Sequence, residues 1–190
     1  MSDSTGSPAN SPATAPETTI TRPDHAGENA PGFEVVEAAA RAGLGVRLFT
    51  VLAWDDERAA LQRIHTSHPE EYPVGGEKFM PREAPWPQQV LVRAEPYLGR
   101  TPAEVAAVFA DWPTIEALGC GSTLNVPVVD AGRTLGSLSL LDVEGHYDEL
   151  SIPRALRLAD LAREPLRAWH TTRSAPTATT ESTTNPGGTL

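Results

Sequence analysis

Cysteine is almost missing from this chain: of 190 residues only Cys120 carries a thiol. One thiol cannot form an intramolecular disulfide and cannot supply a multi-cysteine metal site, and any redox role would need an outside thiol. Positive charge is also scarce, with 15 Lys and Arg against 25 Asp and Glu, a formal net charge of -10 and a pI near 4.9. Binding to a phosphate backbone depends on clustered Lys and Arg that release counterions, so DNA and RNA are excluded as partners. No apolar stretch is long enough to cross a bilayer, and the amino terminus lacks the basic region and apolar core of a signal peptide. The expectation is a cytoplasmic protein with no membrane partner. No Ser-His-Asp order, phosphate loop or paired-carboxylate motif stands out.

Apolar residues are also missing from both ends. The first thirty or so residues are mostly Ser, Thr, Pro, Ala, Gly and Asn with scattered acids, too polar to offset the entropy of ordering them. A similar composition returns near Thr171. The expected organisation is a disordered tail over 1–31, one domain over 32–169 and a second tail over 170–190.

Within the domain, Phe33, Val36, Ala40 and Leu44 recur at helical spacing, with Gly43 and Gly45 as a stop. Val46 to Trp54 is apolar at nearly every position, the pattern of a strand buried on both faces. A second strand, about Ala60 to Ser67, alternates so that Leu61, Arg63, His65 and Ser67 share one face. From His68 to Pro85 repeated Pro and Gly predict an irregular but packed loop. Trp86-Pro87 opens a helix through Ala94, and Pro96 to Gly99 is extended. Thr101-Pro102-Ala103-Glu104 is a capping box that starts a helix bearing Val105, Val108 and Phe109. A short helix near Thr114 to Leu118 stops at Gly119.

Two aliphatic runs then flank Asp130-Ala131-Gly132-Arg133, which predicts an antiparallel hairpin over Leu118 to Asp142 at the centre of a sheet. A last helix, capped by Ser151, carries an apolar stripe from Ile152 through Leu161 and Leu166 to Trp169, with a kink or early end at Pro165. The first and last helices are expected to pack together.

Leu118 to Val128, Gly132 to Leu141, Trp86-Pro-Gln-Gln-Val-Leu and Pro96-Tyr-Leu resemble the GAF domain family of small sensor modules. The resemblance spans roughly Gly32 to Trp169. It implies an α+β fold: a central antiparallel sheet of five or six strands, terminal helices on one face, and a helix-bearing crossover, about Pro69 to Gly119, roofing a small-molecule pocket on the other.

Alternation in the hairpin puts Leu124, Val126, Leu138 and Leu140 on one face and Thr123, Asn125, Ser137 and Ser139 on the other. On the GAF frame the polar set, with Arg63 and His65, looks toward the crossover. A buried hydroxyl or amide is costly unless paired, so this lining suits a polar ligand, and Arg63 with Lys78 suggests an anionic one. Tyr72, Trp86 and His146 complete the candidate ligand contacts; the competing reading is that these groups only bond one another under a closed roof. His65 and His68 are three apart on a strand, where their side chains diverge, so no metal site is expected. Some GAF proteins reduce free methionine sulfoxide with a cysteine and resolve the oxidised intermediate through further cysteines, which this chain lacks. Cys120 reads as a small buried residue. The expected function is a sensor or regulator that binds a small anionic organic molecule and acts through a separate output protein, with a homodimer formed along the terminal helices. The alternative is a small enzyme acting on such a molecule through Arg63, His65, Tyr72, Lys78 or His146. No cofactor is assigned.

Overall fold

The computed structural model describes residues 28–174; the expected tails lie outside that range except for residues 28–31 and 170–174. The chain opens with α1 (Glu34–Gly43), which buries Val36 and Ala40 and carries Glu34 and Glu37 in its first turn and Arg41 in its last, matching the helix dipole. Strands β1 (Leu48–Asp55), β2 (Ala60–Thr66) and β3 (Gly75–Phe79) follow. The crossover contains α2 (Pro85–Pro87), a π-helical turn (Gln88–Val92), β4 (Tyr97–Gly99), α3 (Pro102–Ala106) and α4 (Trp112–Ala117). The hairpin β5 (Ser122–Asp130) and β6 (Arg133–Asp142) leads to α5 (Ile152–Ser174). Six strands form one antiparallel sheet in the order β3-β2-β1-β6-β5-β4, with the predicted hairpin inside it.

Two apolar layers sandwich the sheet. On one face Phe49, Val51, Leu124, Val126, Leu138 and Leu140 meet Phe33, Val36 and Ala40 of the α1 segment and Ala155, Ala162 and Leu166 of α5. On the other face the crossover packs as two separate clusters. One joins Leu48 and Leu141 to Tyr72, Val105 and Ile115, and the other joins Trp54 and Leu61 to Trp86, Val90 and Leu91. The α+β architecture, with terminal helices on one side and a helix-bearing roof on the other, is as the resemblance implies.

Two positions show how local geometry permits this packing. The hairpin closes through a two-residue turn, Ala131 (φ 47°) and Gly132 (φ 78°), with Asp130 paired to Arg133. Both central residues need positive φ, which Gly adopts freely and Ala only at a cost of about 1 kcal/mol. At Gly136 in β6, a Cβ would collide with the Leu52 carbonyl oxygen and the Leu166 side chain, so its absence lets α5 lie close to the sheet.

Several elements depart from expectation. The segment predicted to be irregular contains β3, an edge strand whose Gly75, Gly76, Glu77 and Lys78 carry no apolar alternation because it is mostly wet. The helix expected from Trp86 to Ala94 is a single α-turn followed by a π-turn. Helix α5 does not take the early end offered at Pro165 and continues to Ser174. Beyond the proline, His170 Nε2 donates to the Leu135 carbonyl at 2.8 Å and Arg173 donates to Gln62 and Glu77, which holds the following turns to the sheet. Leu161, placed on the buried stripe by spacing, is 54% exposed. Ser151 is not a simple helix cap: its hydroxyl donates to Asp148 Oδ1 at 2.9 Å and so closes the preceding loop.

Opposite effects are expected at the two close-fitting positions: Ala131→Asn should stabilise the fold by up to about 1 kcal/mol, since Asn tolerates the left-handed region. Gly136→Ala should destabilise it by about 1–3 kcal/mol or more through overpacking. Urea denaturation of the two variants beside the parent chain checks both signs.

Candidate functional site

The roof-facing side of the sheet carries a row of polar side chains between its two apolar clusters. Asn125 is paired with Ser139 across the hairpin and Thr50 with Ser139 across the next ladder, while Ser137 stands opposite Leu52 and Pro127. Thr50, Thr123, Asn125, Ser137 and Ser139 are each buried. Asn125 is fully paired at both ends of its amide: Nδ2 donates to Ser139 Oγ at 2.8 Å, and Oδ1 accepts from Trp86 Nε1 at 3.0 Å. Trp86 therefore stands on the polar row as a clasp. The hydroxyls of Thr123 and Ser137 are buried without a hydrogen-bond partner.

The structure brings Thr123, Asn125, Ser137, Ser139 and Trp86 together and adds Thr50, whose polar side chain is hidden in an otherwise apolar strand. The roof is closed over them. Surface depressions of about 480 and 250 Å³ lie elsewhere, one beside Glu71 and α4 and one between Arg58, Gln62, Glu77 and Arg173, and neither includes a residue of the polar row.

A second cluster forms at the roof's edge. Arg63 lies over the Tyr72 ring, its guanidinium carbon 3.4 Å from the ring centroid, a cation–π stack. Its Nη1 donates to the Pro73 carbonyl at 2.8 Å, and its Nη2 donates to Asp111 Oδ2 at 3.3 Å. Lys78 Nζ lies 3.6 Å from the same Asp111 oxygen. Burial would raise the Asp111 carboxyl, but the Tyr72 hydroxyl, Lys78 and Arg63 outweigh it and hold the carboxyl below its ordinary range. Burial pushes the Tyr72 hydroxyl well above its usual value. Three predicted residues thus meet around a fourth that the sequence did not disclose. Asp111 stands at the N-terminal cap position of α4, with Pro113 in the first turn, yet its side chain makes no capping bond.

His65 does not join them, which corrects the expected face. Val51 pairs with His65 and Leu52 with Arg63, leaving Ile64 as an extra residue in a β-bulge. The bulge reverses the alternation, so Arg63 faces the roof while His65 faces the helices. There His65 is 1% exposed, lies 5.9 Å from the Phe33 ring and 5.8 Å from the Phe49 ring between centroids, and donates from Nε2 to Glu37 at 2.8 Å. It links α1 to the sheet. His146 is likewise away from the roof's polar row: it donates to the Leu44 carbonyl at 2.9 Å, at the end of α1, and lies edge-on to Tyr147. The residues offered for catalysis are therefore dispersed over two faces.

Cys120 is buried against Leu48, Ile115 and Leu141. Burial, with Asp142 adding to it and Arg47 opposing it, pushes its thiol up to about 11, so at neutral pH it is not a thiolate nucleophile.

No family model and no curated protein matches the sequence. Solved structures do match the fold. The chain is similar to the GAF domain of a two-component sensor histidine kinase from Bacillus halodurans, with a TM-score of 0.58, 13% identity, and coverage of 74% of this chain and 95% of that one. It is similar to the GAF domain of a phosphoenolpyruvate-protein phosphotransferase from Acinetobacter, with a TM-score of 0.54, 15% identity, and coverage of 72% and 80%. It also resembles the free methionine-R-sulfoxide reductase of Neisseria meningitidis, solved with its substrate, with a TM-score of 0.53, 14% identity, and coverage of 71% and 75%. At these identities the likeness establishes the fold, which is GAF-like.

Asn125→Ala should cost about 2 kcal/mol or more, because it strands the buried Trp86 donor as well as removing two bonds, and chemical denaturation followed by Trp fluorescence would measure it. The depressed Asp111 carboxyl gives an acid limb to stability. Its contribution is complete above the unfolded value of about 3.9 and is lost as pH falls through that value toward the lower folded one. Asp111→Asn should flatten that limb in thermal melts recorded from pH 6 down to about pH 3.

Proposed function

We propose that this GAF-like domain is a sensor module that binds a small polar, anionic organic molecule between the sheet and the crossover, and passes the response to a separate protein. The observation that carries this reading is the buried polar row, in which the Thr123 and Ser137 hydroxyls have no partner. An unpaired buried hydroxyl costs free energy that an aliphatic residue would avoid, so the row is better suited to a molecule that hydrogen-bonds it than to permanent dry packing.

The roof above is built to move. Its helices are short, three residues in α2, five in α3 and six in α4, so each is held by few backbone hydrogen bonds of its own. The π-turn at Gln88–Val92 follows directly after Trp86, and such turns are frequent where a helix must adapt to a functional site. Lifting Trp86 from Asn125 opens the row. Trp86, Thr123, Asn125, Ser137 and Ser139 then contact the ligand, while Arg63, Tyr72 and Lys78 meet its charge. On the far face, Val35 of α1 is 71% exposed and Leu161 of α5 is 54% exposed, which leaves apolar surface for a homodimer along the terminal helices. Output then travels through those helices to the partner protein.

The test is incubation of the protein with a broad mixture of anionic metabolites, recording melting temperature and consumption of each compound. The expected result is a rise of several degrees with no turnover, abolished by Arg63→Ala and retained in His146→Ala. Consumption of a compound would replace the sensor with an enzyme, and an unchanged melting temperature across the mixture would remove both.

A further inference from the structure

The cluster at the roof's edge has the composition of an anion site that the chain fills with its own carboxylate. Lys78 is the only lysine in a sequence of net charge -10, yet it stands beside Arg63 on the same side of the sheet. Two cations brought together repel unless an anion lies between them, and among the described residues Asp111 is the only carboxylate ion-paired with either. Both reach the same oxygen, Oδ2, at 3.3 Å from Arg63 and 3.6 Å from Lys78. This is a poor fit for a guanidinium. The Nε and Nη2 donors of arginine form one edge that takes a carboxylate through two parallel bonds, but Asp111 uses Nη2 alone and Arg63 Nε is buried without a partner.

The Asp111 backbone cannot improve that fit without moving the segment it belongs to. Asp111 sits between α3 and α4, whose Val105 and Ile115 pack on Leu48 and Leu141 of the sheet. A free carboxylate has no such tether and can engage Nε and Nη2 together.

The geometry points to a carboxylate-binding site made of Arg63, Lys78 and the Tyr72 hydroxyl, held closed by Asp111 as a tethered competitor. A ligand bearing a carboxylate displaces Asp111, and the α3–α4 segment loses its ionic tie to Arg63 and Lys78 while Val105 and Ile115 still pack on the sheet. This deepens the sensor reading and rests on it: it names the ligand's charged group and the contact whose exchange reports binding. No bond is made or broken. Competition also sets the affinity, because the ligand binds only to the fraction of molecules in which Asp111 has withdrawn.

The experiment is chemical rescue. Melting temperatures of the full chain, Asp111→Ala and Asp111→Ala/Arg63→Met are recorded with sodium acetate and with sodium chloride at matched ionic strength. Asp111→Ala should melt several degrees below the parent chain, and acetate should recover several of those degrees where chloride recovers none. The parent chain should gain less than Asp111→Ala does, and the Arg63→Met double variant should lose the acetate-specific gain. If Asp111→Ala does not fold, Asp111→Ser replaces it and is judged by the same comparison. Equal responses to acetate and chloride would overturn the site, and rescue by phosphate without rescue by acetate would overturn its carboxylate assignment. A parent chain that responds to anionic metabolites while the variant ignores acetate removes this site and keeps the sensor. The reverse pattern keeps the site and removes the sensor.

Discussion

A side-chain amide enclosed on all sides must be hydrogen-bonded at both its oxygen and its nitrogen, and Asn125 meets that requirement only because Trp86 descends on it from the crossover while Ser139 supports it from the neighbouring strand. The position of the roof follows from this pairing. With Trp86 seated, Val90 and Leu91 close over Trp54 and Leu61 on one side, and Tyr72, Val105 and Ile115 close over Leu48 and Leu141 on the other. The apolar clusters supply most of the contact, but the amide selects where the crossover lands, since displacement by one residue would leave a buried indole N–H unpaired.

The opposite face has no such polar arbiter and relies on shape. Gly136 lets α5 approach the sheet where any side chain would strike the Leu52 carbonyl, and the aliphatic residues of β5 and β6 complete the layer. The polar pair of His65 with Glu37 enters this layer and joins the first helix to the sheet between two Phe rings. The two faces thus differ in kind: one is a conventional apolar interface, and the other mixes apolar anchors with a polar row and a charged cluster at its edge.

The Asp111 cluster fits that division. A cation–π stack sets Arg63 against Tyr72, so the cationic half of the cluster belongs to the sheet and the neighbouring loop. The anionic half belongs to the roof.

Much of this was legible in the residue order because local rules govern it. The hairpin from Leu118 to Asp142, the capping box at Thr101, the first helix and the grouping of Thr123, Asn125, Ser137 and Ser139 all follow from alternation, helical period and turn chemistry, which act over a few residues. Where partners distant in sequence intervene, those rules lapse. Arg63 and His65 are two apart and should share a face, but Ile64 is accommodated as a bulge against β1 and sends them to opposite sides. Edge strand β3 forms because β2 offers it a ladder, not because Gly75 to Phe79 favours a strand. Helix α5 outlasts Pro165 because Leu135, Gln62 and Glu77 are there to bond its last turns. Asp111 carries no signal in its own stretch of sequence; only the folded chain brings Arg63, 48 residues earlier, within reach of its carboxylate. Short-range sterics are written into neighbouring residues, whereas a bulge, an edge ladder or a long-range ion pair exists only once the partner segment is in place.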